Sequence, residues 1–162
     1  MTSSIVVYHG TDCLFDKINL AKSRDKRDFG KGFYTTTIST QAESWATNMM
    51  MRRGTDHAYV YEYELSLTES LSILSFDGLT VDWLNFVKDN RTQGGIQHNF
   101  DLVMGPVAND NTLLTVMRYI QGVYHADEAL RRLRYFKAND QVSLHTEKAL
   151  ANLSLLRRYE VD

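Results

Sequence analysis

His9 and Tyr34 are the side chains whose types and spacing could do chemistry together, with Trp45 eleven positions further on. His9 sits in Tyr8-His9-Gly10, and Tyr34 closes the block Phe29-Gly30-Lys31-Gly32-Phe33-Tyr34. A histidine can hold the hydroxyls of a ribose, and two aromatic rings can sandwich a flat, electron-poor ring. Glycines allow the backbone to pass close to a ligand or to make a tight turn. Taken singly, each residue has a plain structural reading: a satisfied histidine at a strand end, two core aromatics, a glycine turn. The combination is what points to a site.

The elements that must position these residues are legible around them. Ile5-Val6-Val7-Tyr8 is a short β-branched run and predicts a buried strand. His9-Gly10-Thr11-Asp12 ends it. Lys22 to Asp28 is dense in charge and reads as a solvated loop. Phe33 to Thr37 predicts a second strand. Thr40 reads as an N-cap with Glu43 as its capping-box partner, followed by Ala42, Trp45, Ala46 and Met49 at helical spacing. The run Met49-Met50-Met51 reads as core filler.

Further along, Ala58 to Leu65 alternates as a half-exposed strand, and Leu71 to Phe76 is a short strand. Thr80 to Lys88 is helical, and Phe100 to Pro106 is a strand stopped by Gly-Pro. Asn109-Asp110-Asn111-Thr112 caps a helix from about Leu113 to Gln121, and His125 to Tyr135 is another. Gln141 to His145 is a late strand, and Thr146 caps a last helix running from Glu147 to about Leu156. Strands and helices mix without strict alternation, which indicates an α+β fold.

A chain of 162 residues with 43% apolar residues predicts one globular domain over 1–162. The formal net charge of −2 advertises neither nucleic acid nor an anionic membrane. No apolar run is long enough to span a bilayer, and the N-terminus lacks the pattern of a secretory signal. Cys13 is the only cysteine and cannot form an internal disulfide. These features predict a cytoplasmic protein, with export by a route that reads no cleaved signal left open. No metal-ligand cluster is predicted. Arg131, Arg132, Arg134 and Lys137 form a basic cluster, read as a solvated helix face, with an RNA or acidic-acceptor patch as the alternative. The Gly-Lys-Gly segment is neither a Walker A loop nor a dinucleotide fingerprint.

Tyr8-His9-Gly10, the Phe-Gly-Lys-Gly-Phe-Tyr block and the helix behind it resemble the histidine–tyrosine–glutamate class of ADP-ribosyltransferases, which includes diphtheria toxin and the poly(ADP-ribose) polymerases. The chain more closely resembles an uncharacterised family of small bacterial domains with that fold. It shares with them Asp28 to Tyr34, Gly105-Pro106-Val107-Ala108-Asn109-Asp110 and the segment from Gln141 to Leu150. The resemblance implies a split fold of two small, mainly antiparallel sheets, with NAD as substrate in the cleft between them. It implies that His9 bonds the adenosine-side ribose, that Gly10 offers its backbone to the nicotinamide amide, and that Tyr34 and Trp45 flank the nicotinamide ring. Thr11 and Gly32 complete the implied cofactor-binding set. The implied activity is mono-ADP-ribosylation of a macromolecular acceptor, a protein rather than a nucleic acid. A toxin or effector role with a neutralising antitoxin partner follows by analogy.

The class carries a glutamate at the start of a late strand, and alignment on Asn139-Asp140 places Gln141 there. A carboxylate stabilises the oxocarbenium character that builds as the glycosidic bond of NAD breaks. Gln141 can bond the ribose hydroxyl and brings no charge. Three readings follow: Gln141 supports slow mono-transfer; another carboxylate such as Glu62, Glu64 or Glu147 reaches the site; or the domain binds NAD without turnover. NAD glycohydrolase activity is a further alternative, and RNA 2′-phosphotransfer ranks low because only Arg24 and Arg27 flank the motifs. Asn109 and Asp110 read as a helix cap, with the acceptor side of the site as the alternative.

Overall fold

The computed structural model describes residues 3–108, 112–134 and 140–162. The chain is α+β, with two mostly antiparallel sheets. The first has the order β1 (Ser3–Thr11), β3 (Tyr59–Leu67), β7 (Leu153–Glu160). The second has the order β2 (Phe33–Thr35), β6 (Asp140–Leu144), β5 (Leu102–Pro106), β4 (Ile73–Ser75), and its β4–β5 pair is the parallel one. The sheets meet where Tyr8 pairs with Thr36: Tyr8 N–H donates to Thr36 O at 2.7 Å, and Thr36 N–H to Tyr8 O at 2.9 Å.

Two apolar layers are built on the second sheet, one shared with the first sheet and one covered by helices. Val7, Phe33, Tyr61, Tyr63, Leu65, Val142 and Leu144 form one core between the sheets. Phe29, Tyr34, Trp83, Val87, Val103, Val116 and Leu133 form a second, under α2 (Val81–Gln93), α3 (Leu113–Ile120) and α4 (Ala126–Leu133). β2 divides its side chains between them, Phe33 to the first and Tyr34 to the second, as the two-residue repeat of a strand requires. The helix α1 (Ser39–Arg53) packs on β1 and ends at Gly54 in the left-handed region (φ 67°). Thr80 caps α2, its hydroxyl accepting from Trp83 N–H at 3.2 Å.

Four expectations are corrected. The helix after the glycine block begins at Ser39 with Ile38 at the N-cap and no side-chain cap, so Thr40 is inside the first turn; Glu43 instead accepts from Tyr159 Oη at 2.8 Å. The last helix is the single turn α5 (Glu147–Leu150), capped by Thr146, and the chain then becomes β7 rather than continuing helical to Leu156. Leu and Arg are good helix formers, but pairing with β3 and the partial burial of Leu153 opposite Leu65 decide for strand. Met51 is 72% exposed, so the methionine run fills core only in part. The charged segment before β2 is not wholly solvated, because Asp28 is buried and Arg27 half-buried. Asn109, Asp110, Asn111, Tyr135, Lys137 and Asn139 lie outside the described residues.

Candidate functional site

The corner where the sheets meet places His9 and Gly10. His9 lies half-buried at the end of β1, its ring stacked on Phe33 (centroids 4.1 Å apart, planes 24° apart) and edge-on to Phe15. Its Nδ1 is 2.7 Å from Tyr34 O. A carbonyl only accepts, so Nδ1 carries the proton. Burial, opposed in part by that hydrogen bond and helped by the nearby Arg27 charge, pulls the pKa of His9 down to about 4. At neutral pH the ring is therefore uncharged and its Nε2 is an acceptor, suited to a hydroxyl O–H.

Gly10 follows on the same strand. In an antiparallel ladder, alternate residues turn their N–H and C=O to the same neighbour. Tyr8 turns its pair outward to Thr36, so Gly10, two residues on, turns its own pair to that same edge. Among the described residues no strand pairs with Gly10 there. The opposite constraint is steric: a Cβ at Gly10 would stand 2.1 Å from Ala42 O and 3.0 Å from Ala46 N, so only glycine lets α1 seat this close. Trp45, half-buried, shares the α1 face of Ala42 and Ala46, one turn along. Thr11 is buried, its Oγ1 accepting from Cys13 N–H at 3.3 Å.

Tyr34 is elsewhere. Its backbone carbonyl meets His9, but its ring points into the second core and is 4% exposed. The hydroxyl accepts from Phe29 N–H at 2.9 Å and donates to Gly30 O at 2.6 Å, closing the glycine block on itself. Burial pushes the phenol well above its ordinary value. The Arg27 guanidinium lies 4.0 Å from the ring centroid. The Tyr34 ring lies in the second core, whereas Trp45 lies on the α1 face of Ala42 and Ala46, and no direct ring contact joins the two among the described residues. The glycines of the block pack on protein. A Cβ at Gly32 would stand 2.7 Å from both Leu144 O and His145 Nδ1, and Gly30 (φ 94°) runs against Asn90 and Gly95.

Gln141 lies on β6, on the same side as Tyr34, and is 1% exposed. Its Nε2 donates to Asp28 Oδ2 at 3.0 Å and to Pro106 O at 3.1 Å. Asp28 is buried as well: Oδ2 also accepts from Ala108 N–H at 2.8 Å, and Oδ1 takes Arg91 Nε and Nη2, each at 2.7 Å. The three carboxylates considered from sequence are not at Gln141. Glu62 pairs with Arg157, Glu64 accepts from Ser4, and Glu147 opens α5. Asp28 is the carboxylate that meets it, and it escapes a reading of the sequence because it closes a charge-rich run.

A cleft of about 390 Å³ opens beside Gln141, lined by Thr37, Phe76, Asp77, Gly105, Pro106 and Asp140 among others. Asp140 accepts from Thr36 Oγ1, from Thr37 N–H and from the Thr37 hydroxyl. Gln41, at the start of α1, donates to Asp140 O at 2.8 Å, and its buried Oε1 has no hydrogen-bond partner among the described residues. A second cleft, about 370 Å³, runs along α1 past Thr40, Glu43 and Asn48. Neither is lined by His9, Tyr34 or Trp45. Among the described residues no cluster of three metal-ligating side chains exists, and no helix is long and apolar enough to cross a membrane. Of the basic cluster, Arg131 and Arg132 both pair with Glu128 on the same helix, and Lys137 lies outside the described residues.

The chain belongs to the family described as "Protein of unknown function (DUF3990)", whose model matches residues 5–155. Comparison with curated proteins finds no match, and comparison with solved structures finds none either.

Proposed function

We propose that this chain uses NAD, holding it at the His9–Gly10 corner, and transfers one ADP-ribose to a macromolecular acceptor with release of nicotinamide. The observation that carries the reading is the corner itself. A neutral histidine with its Nε2 free to accept a hydroxyl stands beside a glycine whose N–H and C=O face an unpaired edge. That is a donor–acceptor pair for a carboxamide next to an acceptor for a ribose hydroxyl. In the transfer, the C1′–N1 glycosidic bond breaks and its electron pair leaves with nicotinamide. The acceptor's nucleophile then forms the new bond at C1′ and gives up its proton. Gln141 would accept from a hydroxyl of the nicotinamide ribose.

The Tyr34 ring would serve this reading after one change. A planar cation, the Arg27 guanidinium, already lies over it, and the cationic nicotinamide ring would take that place. A second reading has a specific observation behind it. The Gln141 amide is held by Asp28 and Pro106 and brings no negative charge to the reaction, which favours an NAD-binding module with little turnover.

The test is incubation with NAD labelled on the adenylate, with and without cell lysate, following nicotinamide release and label transfer. Label on a macromolecule, lost in His9→Ala, is the expected result. Free ADP-ribose alone would favour the glycohydrolase. Absence of nicotinamide release in both mixtures would contradict the transferase and leave the binding module.

A further inference from the structure

We propose that Asp28 is the positioning residue for Gln141, and that it is the reason a glutamine stands there. Gln141 meets two groups that can only accept, the Asp28 carboxylate and the Pro106 carbonyl. The face turned to them must therefore be the NH₂, and the amide has one permitted orientation. Oε1 is left as the side chain's free hydrogen-bonding atom, with no partner among the described residues, on a residue that lines the cleft. Position 141 is thereby made acceptor-only toward a ligand and selects a hydroxyl or N–H donor. This deepens the proposed function and rests on it as far as the hydroxyl is that of the nicotinamide ribose.

The same geometry excludes glutamate. A carboxylate at 141 would face Asp28 Oδ2 and the Pro106 carbonyl at about 3 Å with no proton between them, as long as it is ionised. Asp28 itself cannot turn away, because Arg91 from α2 holds its Oδ1 and Ala108 N–H its Oδ2. Among the described residues Asp28 is the charged group hydrogen-bonded to this position, with Arg91 paired to it. Asp77 and Asp140 line the same cleft, and Arg27, next to Asp28 in the chain, lies over the Tyr34 ring. Asp28 and Gln141 thus form one matched unit, in which the charge sits on Asp28, is balanced by Arg91 and is relayed as a fixed amide orientation.

The experiment is a melting cycle on the full chain with Asp28→Asn, Gln141→Glu and the double variant, run without ligand and then with millimolar NAD. Gln141→Glu alone is expected to lower the melting temperature by about 5–10 °C at neutral pH. The deficit relative to wild type should shrink as the pH falls toward about 5, because a buried glutamate beside a carboxylate has a raised pKa and its protonated form restores a donor. Asp28→Asn is also expected to melt lower, since its NH₂ meets a donor on one side or the other. The double variant should melt above the sum of the two single losses, because the amide introduced at position 28 can donate to the carboxylate introduced at position 141 while its oxygen stays with Arg91. Additive losses, or a Gln141→Glu chain as stable as wild type across this pH range, would overturn the proposal.

With NAD, the melting temperature of wild type should rise and that of Gln141→Leu should rise less. Coupling between the two positions with an equal NAD response in both chains would overturn the hydroxyl role. Coupling with no NAD response in either would overturn the proposed function and that role together. Loss of the NAD response in Gln141→Leu without coupling would overturn the part given to Asp28 alone.

Discussion

The corner at His9 and the cluster around Tyr34 are joined by one hydrogen bond, yet they are built on opposite plans. At the corner, groups are left over: His9 Nε2 and the outward backbone of Gly10 have no partner among the described residues. In the cluster nearly every group is engaged. Tyr34 Oη has two partners, Asp28 four, and the Ser143 hydroxyl lies 2.7 Å from His145 Nε2 while His145 Nδ1 meets Lys31 O at 2.7 Å. Surplus hydrogen-bonding capacity marks a place that can take a ligand; a closed network marks one that fixes a fold. The same glycine-rich block serves both, since it carries Tyr34 inward and presents the Tyr34 carbonyl to His9.

Breaking the cluster should have the largest effect on stability. Asp28→Ala leaves Arg91, Ala108 N–H and the Gln141 amide without their common acceptor, and a loss of about 3–5 kcal/mol is expected by urea unfolding. A loss below about 1 kcal/mol would remove the contrast between the two regions. Gly32→Ala comes next, because its Cβ would stand 2.7 Å from Leu144 O, and about 1–3 kcal/mol is expected from the same measurement. Tyr34→Phe leaves Phe29 N–H and Gly30 O without the hydroxyl, for about 1–2 kcal/mol. It should leave the His9 contact intact, since that uses the backbone.

Acid sharpens the comparison differently, because it reaches both regions. Burial holds His9 and His145 at about 4, below the ordinary 6.5. Between these values the unfolded chain binds more protons than the folded one. Stability is therefore full above about pH 6.5 and declines as the pH falls towards 4. Urea midpoints taken across this window should fall with pH in wild type and fall less in His145→Gln. Equal midpoints would show that neither ring is held neutral.

Much of this is legible in the sequence. Ile5 to Tyr8 reads as a strand and is one. The strand runs on through His9, Gly10 and Thr11, which read locally as its ending turn, because they pair with Tyr61, Val60 and Tyr59. The second strand spans Phe33–Thr35 rather than 33–37, and the helix bearing Trp45 lies where the local pattern puts it. β7 escapes the pattern because Leu153 to Tyr159 carries helix-forming residues, and its pairing with β3 comes from 90 or so positions away, beyond any local signal. The partition of Phe33 and Tyr34 between two cores is implicit in strand alternation, but which core each enters depends on the other sheet. Asp28 is hidden for the same reason. A carboxylate in a run with Arg24, Asp25, Lys26 and Arg27 looks solvated until Arg91, Ala108 and Gln141 arrive from three distant segments. Local pattern sets elements; buried polar networks are made by the tertiary fold.

His9→Ala should have the smallest effect on stability of these changes, about 1 kcal/mol, and the largest on NAD. The decisive measurement is calorimetric titration of NAD into wild type, His9→Ala and Tyr34→Phe. Wild type is expected to bind, His9→Ala to bind at least about tenfold more weakly, a loss of about 1.4 kcal/mol, and Tyr34→Phe to stay close to wild type. NAD binding unchanged in His9→Ala, or no binding to wild type, would contradict a site at the His9–Gly10 corner.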